Sequence, residues 1–314
     1  MLSIGFIYAF AATLCWAIGA FPLTNASRQL PVNSMNHLRL LLGTVLVLIG
    51  AIAIEGHNFF AIFSAAYVKA WLWLGISGIV ALVVGDFFSF RSYAILSAQH
   101  GSVLTTLSPA SALIFGILLV NENINWIGIA GMIITIVGVM SISLGRSQRS
   151  TIPDHGHGSI TKGIVFGILA ACCHGAALAF SKKGFVLQAA EQHSVGPLSA
   201  TFIRLIAGLL FVYAISFFTG KLKDAWQHLR DSKEGVRNTI IGSVFNPGLS
   251  VAFSMITILY INVAVAQTIF AMVPLFALLI AFFVYKEKIT SRSVWGIVAA
   301  LAGVMLLIWR NKIV

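Results

Sequence analysis

The sequence predicts an all-α polytopic membrane protein, with ten transmembrane helices arranged as two five-helix inverted-topology repeats. Three observations predict it. Of 314 residues, 59% are hydrophobic and 9% charged, and mean hydropathy is +0.95. A globular chain averages about 25% charged residues, so a soluble fold of this length has too few charges to cover its surface. The apolar residues also fall in runs of about 20, the length that crosses a hydrocarbon core as a helix. Finally, the chain resembles itself when displaced by 165 residues. The net charge of +11 reads as the loop bias of a membrane protein, not as a nucleic-acid surface. Seven prolines and few polar tracts exclude a long disordered region.

Ten runs fit as spans: 3–23, 35–54, 71–90, 92–97 continuing through 101–120, 124–144, 161–181, 199–219, 238–258, 263–285 and 293–309. The first begins at once, without a basic leader region, and reads as a membrane helix, not a signal peptide. The stretch 71–120 is nearly continuous and holds two spans, with a tight turn expected near Ser97–Gly101. The stretch 238–285 behaves likewise, with its turn near Asn262–Ala266. Spans must be helical, because a bilayer offers backbone groups no other partner. Charged stretches at 55–69, 146–162, 182–196 and 221–237 read as loops. The organisation expected is a first repeat at 1–145, a polar linker at 146–160 and a second repeat at 161–314.

At the 165-residue offset Pro109 meets Pro274, Glu122 meets Glu287, Gly131 meets Gly296 and Gly138-Val139-Met140 meets Gly303-Val304-Met305. Arg39 meets Arg204, Gly43 meets Gly208, and Phe88-Ser89 meets Phe253-Ser254. The first helices align at an offset of 158, with Gly5 on Gly163, Cys15 on Cys173 and Trp16 on His174. Matching Leu and Val prove little in apolar segments. Shared Arg, Glu, Pro and Gly at one offset do not arise that way. Five spans per half reverse the chain direction, so the halves are inverted. Inverted repeats are a device of secondary transporters, with the substrate site near the midplane between them.

The segments "LSPASALIFGILLVNENINWIGIAGMIITIVGV" and "MVPLFALLIAFFVYKEKITSRSVWGIVAALAGV" carry a resemblance. Each shows Pro, an apolar helix, Glu in a tight turn and a Gly-rich helix. With Arg39 and Arg204 opening the second helix of each half, the chain resembles the EamA-type ten-helix members of the drug/metabolite transporter superfamily. The resemblance covers nearly the whole chain. It implies secondary transport of a small metabolite, often export, without identifying the substrate. The linker 149–160 matches no feature of that family.

Asp86, in "IVALVVGDFFSF", is the acid well inside a span. A charge there costs about 2.5–3.5 kcal/mol on insertion scales, so it calls for a partner, water or protonation. It is read as a proton or substrate-ammonium site, against a structural ion pair with Arg39, Arg91 or Arg204. Its repeat counterpart is Val251, which points to a task particular to the first half. Arg91, a further substrate-binding or coupling candidate, stands about 140° around the helix from Asp86, a poor same-face pair. Trp16 and His174 are candidates to flank a substrate, and Asn246 and Ser250 extend a polar face in the eighth span. Arg39 and Arg204 serve as scaffold or in anion recognition. Pro109, Pro274 and Pro247 are hinge candidates. Glu122 and Glu287 lie in turns before N-cap types Asn125 and Thr290, and read as helix-end charges.

Cys15, Cys172 and Cys173 sit in apolar segments and read as packing. Asp154-His155-Gly156-His157 is a weak metal pattern and reads as solvated linker. No GxSxG, HExxH or P-loop occurs, so neither enzyme chemistry, nor a cofactor, nor ATP-driven pumping is expected. The partners expected are a small-molecule substrate and the lipid bilayer, without nucleic acid, the chain being a monomer or homodimer. The location expected is a bacterial inner membrane. The competing reading is an intramembrane enzyme acting on a lipid or isoprenoid. That chemistry wants acid/base groups clustered at one membrane face, whereas the polar in-span residues here scatter around the midplane.

Orientation has two warrants. The side carrying both termini holds Lys69, Lys182, Lys183, Arg310 and Lys312. The opposite side holds Arg28, Arg146, Arg149, Lys162, Lys221, Lys223, Arg230, Lys233, Arg237, Lys286, Lys288 and Arg292. The positive-inside rule therefore places both termini outside. The family resemblance implies cytoplasmic termini.

Overall fold

The computed structural model describes residues 2–145, 159–286 and 290–309, and no strand occurs among them. Among the described residues ten helices are long and apolar enough to cross a membrane. They are α1 (Ser3–Ser27), α2 (Val32–Glu55), α3 (Ala65–Leu96), α4 (Gly101–Val120) and α5 (Trp126–Leu144), then α6 (Ile160–Ala190), α7 (Pro197–Phe218), α8 (Lys233–Tyr260), α9 (Val263–Val284) and α10 (Ser291–Trp309). Most of the polar linker, with Asp154, His155 and His157, and also Glu287, lies outside the described residues.

The chain reverses between Tyr93 and Gly101. A Cβ on Gly101 would lie 3.2 Å from the Tyr93 backbone nitrogen. Eight residues of straight helix would hold those positions about 12 Å apart. The matching reversal follows Tyr260, where Asn262 is extended (φ −62, ψ 146) before α9.

Three features differ from the sequence expectation. First, α6 continues past residue 181 to Ala190, although Lys182 and Lys183 looked like the start of a loop. Lys182 Nζ bonds the Ile258 carbonyl near the end of α8, and Ser181 shares a 2.6 Å hydrogen bond with Ser77. A lysine stem is apolar, so the helix carries it while the ammonium serves a carbonyl elsewhere. Second, Pro109 and Pro274 do not interrupt a helix interior. Regular helix restarts at Ser108–Val120 and Val273–Tyr285, and each proline stands in that first turn. Proline suits this place because the first N–H groups lack helical partners anyway. Both segments end on a left-handed residue, Asn121 (φ 53) and its repeat counterpart Lys286 (φ 55). Third, α3 and α8 each contain a wide i→i+5 stretch, Val80–Gly85 and Val244–Leu249, which overlap at the repeat offset. In α8 the cause is local: Asn246 leaves helical geometry (φ −137, ψ 106) before Pro247, and the bond between them is cis.

The helices pack as two units that do not follow chain order. Residues 3–83 with 180–260 form one unit, and 84–179 with 261–314 the other. In the first, glycines let backbones touch. A Cβ on Gly78 would meet the Arg204 carbonyl oxygen at 2.0 Å, and one on Gly43 would meet Pro247 Cγ at 2.6 Å. The repeat counterpart of that second contact is Gly208 against Leu82, at 3.6 Å. In the second unit α5 and α10 exchange equivalent contacts. Gly131 lies on the Gly303 carbonyl (2.8 Å to a built Cβ), and Gly138 on the Gly296 carbonyl (2.7 Å). Each glycine's partner is the repeat counterpart of the other, the reciprocity that two related halves produce. Small residues at such seams are how membrane helices approach without a hydrophobic drive.

Candidate functional site

Within the second unit, α3 and α6 bring together the residues that break repeat symmetry. Asp86 follows the wide turn Val80–Gly85, about 15 Å along the helix from Leu96, which places it near mid-membrane. His174 is likewise central in α6. Its Nε2 lies 4.0 Å from Asp86 Oδ1 and 3.3 Å from Ser89 Oγ. The side chains remain partly accessible, 28% for His174 and 19% for Asp86. The Tyr93 hydroxyl lies beside Ser89 and Thr105. Asp86, Ser89 and Tyr93 stand at i, i+3 and i+7, one face of the helix. Wide turns of this kind recur at functional sites, because they re-aim side chains and loosen local hydrogen bonding.

The α3–α6 contact has a counterpart inside the first unit. Phe88 lies 5.8 Å from Phe166, and their repeat equivalents Phe253 and Tyr8 lie 5.6 Å apart. In that unit Val251 stands in place of Asp86, Trp16 in place of His174, and the Ser254 hydroxyl donates to the Val251 carbonyl. The shared scaffold thus carries an acid–imidazole face in one copy and an apolar, aromatic face in the other.

The remaining expected residues are placed as follows. Arg91 is exposed, its guanidinium carbon 5.4 Å from the Phe87 ring centroid. Trp16 is half-buried in α1. Asn246 packs against α1, where a Cβ on Gly19 would come within 2.9 Å of the Asn246 Cβ. Ser250 is fully buried, and its hydroxyl has no hydrogen-bond partner among the described residues. Arg39 and Arg204 are buried, 6% and 5% accessible, and Arg204 Nη1 lies 3.4 Å from Met255 Sδ. Sequence reasoning missed Ser89 and Tyr93, although their spacing from Asp86 was the signal. It also missed His37, which is buried in α2, donates from Nδ1 to the Asn33 carbonyl at 2.8 Å and packs 4.9 Å from the Tyr213 ring.

The carboxylates at helix ends act across the fold. Glu55 accepts from Leu198 N (2.8 Å), Ser199 N (3.1 Å) and the Ser199 hydroxyl, capping α7. Both oxygens of Glu122 accept from Val263 N, at 3.1 and 2.8 Å. The charge therefore serves the start of α9, a helix its position in the turn did not suggest. Asn125 takes the cap of α5, accepting from Gly128 N at 2.9 Å, and Thr290 caps α10 from Ser293 N at 3.2 Å.

Ten apolar helices, a twofold sequence repeat and ionisable groups at mid-span define an integral membrane protein of the transporter class. The EamA-like transporter family matches residues 3–144 and again residues 161–309, and the chain belongs to that family. It is a membrane transporter of the drug/metabolite type. A solved structure described only as "Crystal structure of protein" shares the fold, with a TM-score of 0.72, 14% identity and 98% of each chain covered. Among curated proteins, no sequence matches.

Proposed function

We propose that the protein is a secondary transporter that exports a small metabolite across a bacterial inner membrane. It works by alternating access at a midplane site between the two repeats, with Asp86 as the proton-coupling carboxyl. The observation that carries the reading is an acid at mid-span that the repeat scaffold does not require, set behind a wide helical turn and facing an imidazole. A carboxyl at that depth exchanges charge with protonation at a cost that substrate movement offsets. Trp16, Asn246 and Ser250 supply substrate contacts, while Arg39 and Arg204 hold the scaffold.

The test is reconstitution. A metabolite comparison of cells with and without the protein supplies candidate compounds. Proteoliposomes loaded with them are then assayed under an imposed pH gradient. Asp86→Asn is expected to abolish gradient-driven movement while downhill exchange persists. Unchanged transport with unchanged pH dependence removes Asp86 from the mechanism. Chemical turnover of lipid without solute movement overturns the transport reading itself.

A further inference from the structure

We infer that the coupling proton is held by two residues from opposite repeats, shared between the Asp86 carboxyl on α3 and the His174 imidazole on α6, with Ser89 fixing the ring. The purpose assigned to this pair rests on the transport reading, but the pairing itself does not. Both residues replace apolar or aromatic counterparts, Val251 and Trp16. Two departures from symmetry, 88 residues apart in the chain, face one another at 4.0 Å. Had either change served only local packing, there would be no reason for them to meet. Ser89 is retained in both halves as Ser254, but here its hydroxyl reaches His174 Nε2 instead of serving a backbone carbonyl.

Among the described residues, the spans of this unit hold few other ionisable side chains. The spans α4, α5 and α9 contribute no ionisable side chain, and α10 contributes Arg292 at its start. On the part of α3 in this unit the other such groups are Arg91, held over Phe87, and Tyr93, beside Ser89 and Thr105. On the part of α6 in this unit they are Lys162 near the helix start and the thiols Cys172 and Cys173 beside the histidine. With one proton the pair is neutral overall, either as carboxylic acid with neutral imidazole or as carboxylate with imidazolium. Losing that proton leaves a charge of −1, and a second proton gives +1. A shared proton therefore keeps the resting charge at mid-membrane near zero, which a lone carboxylate does only when fully protonated. Groups this close titrate as a unit with two macroscopic steps. The 4.0 Å gap exceeds a hydrogen bond, so transfer occurs when the side chains close or across one water.

The probe is the proton alone, on the full-length protein in liposomes. Histidine-labelled protein is followed by nitrogen NMR against pH, with the His174 signal assigned by its loss in His174→Gln. Asp86→Asn is expected to lower the His174 midpoint by about one pH unit, a tenfold loss of proton affinity, because a carboxylate favours the imidazolium. Asp86→Glu is expected to hold the wild-type midpoint, and Ser89→Ala to change the ring tautomer ratio while titration persists. In the reciprocal measurement, His174→Gln raises the pH at which the infrared band of the protonated Asp86 carboxyl disappears. A His174 midpoint indifferent to Asp86→Asn, or an Asp86 band indifferent to His174→Gln, overturns the shared site and leaves transport untouched. Vesicles whose transport ignores pH reject the coupling in the transport reading, while the titrations still decide the pair.

Discussion

At the residue scale, the carboxylate of Glu55 shows how one side chain and one missing side chain work together. It accepts two backbone N–H groups and a hydroxyl at the start of α7. Those donors have no partner within their own helix, and the positive end of the helix dipole favours a negative charge beside them. Gly196 makes room for it, since a Cβ there would fall 2.2 Å from the Glu55 carboxyl carbon. Glu55→Ala is therefore expected to destabilise the protein by about 0.5–2 kcal/mol, the range measured for lost caps. Gly196→Ala is expected to act through the same contact by displacing the carboxylate. The double variant should then lose less than the sum of the two, because a single interaction is removed only once. Thermal unfolding of the detergent-solubilised protein checks this, and additive losses would show that the glycine and the acid act separately.

At the element scale, seams of small residues fix the helices while wide turns interrupt them. Gly138 lies under α10 so closely that a Cβ would sit 2.5 Å from the Ala300 backbone nitrogen. Gly50 in α2 has no atom within 4 Å of the same position. Gly138→Leu is expected to lower the thermal midpoint through overpacking of about 1–3 kcal/mol or more, and Gly50→Leu to stay within about 0.5 kcal/mol of the parent. Equal effects would mean that glycine acts through helix propensity and not through the α5–α10 contact. The seam was legible in the sequence because Gly131 and Gly138 recur as Gly296 and Gly303 at one offset. The ten spans were legible for a similar reason, since hydropathy depends on local composition alone. What was hidden depends on tertiary contact. Glu122 looked like a charge for the helix that follows it, and its bond to the start of α9 had no sign in the sequence. Lys182 looked like the end of α6, because a charge in sequence carries no sign of the distant carbonyl it will meet. Asp86 was visible as an exception, whereas His174 became its partner only once α3 and α6 were side by side.

At the scale of the whole molecule, the distribution of basic residues bears on orientation. On the side of the termini, the basic residues outside the terminal tail are Lys69, Lys182 and Lys183. Lys69 is paired with Glu191, and both Lys182 and Lys183 lie within α6 instead of in a loop. Lysine and arginine near span ends still count in the positive-inside rule, and acidic partners contribute little to it. On the opposite side, Lys221, Lys223 and Arg230 lie in the connection between α7 and α8, and Lys233 opens α8. Lys162, Arg237 and Arg292 on that side lie within helices as well, so the asymmetry of the sequence stands, and by the positive-inside rule it favours both termini outside. A phosphatase fused to the C-terminus is then expected to be active in cells, and a fluorescent protein fused there to be dark. Replacing Lys221, Lys223, Arg230 and Lys233 by Gln should weaken that preference and yield a mixed population. A bright fluorescent fusion on the parent chain would instead put the termini in the cytoplasm, as in the family arrangement, and would mean that early helices, not summed charge, orient this protein.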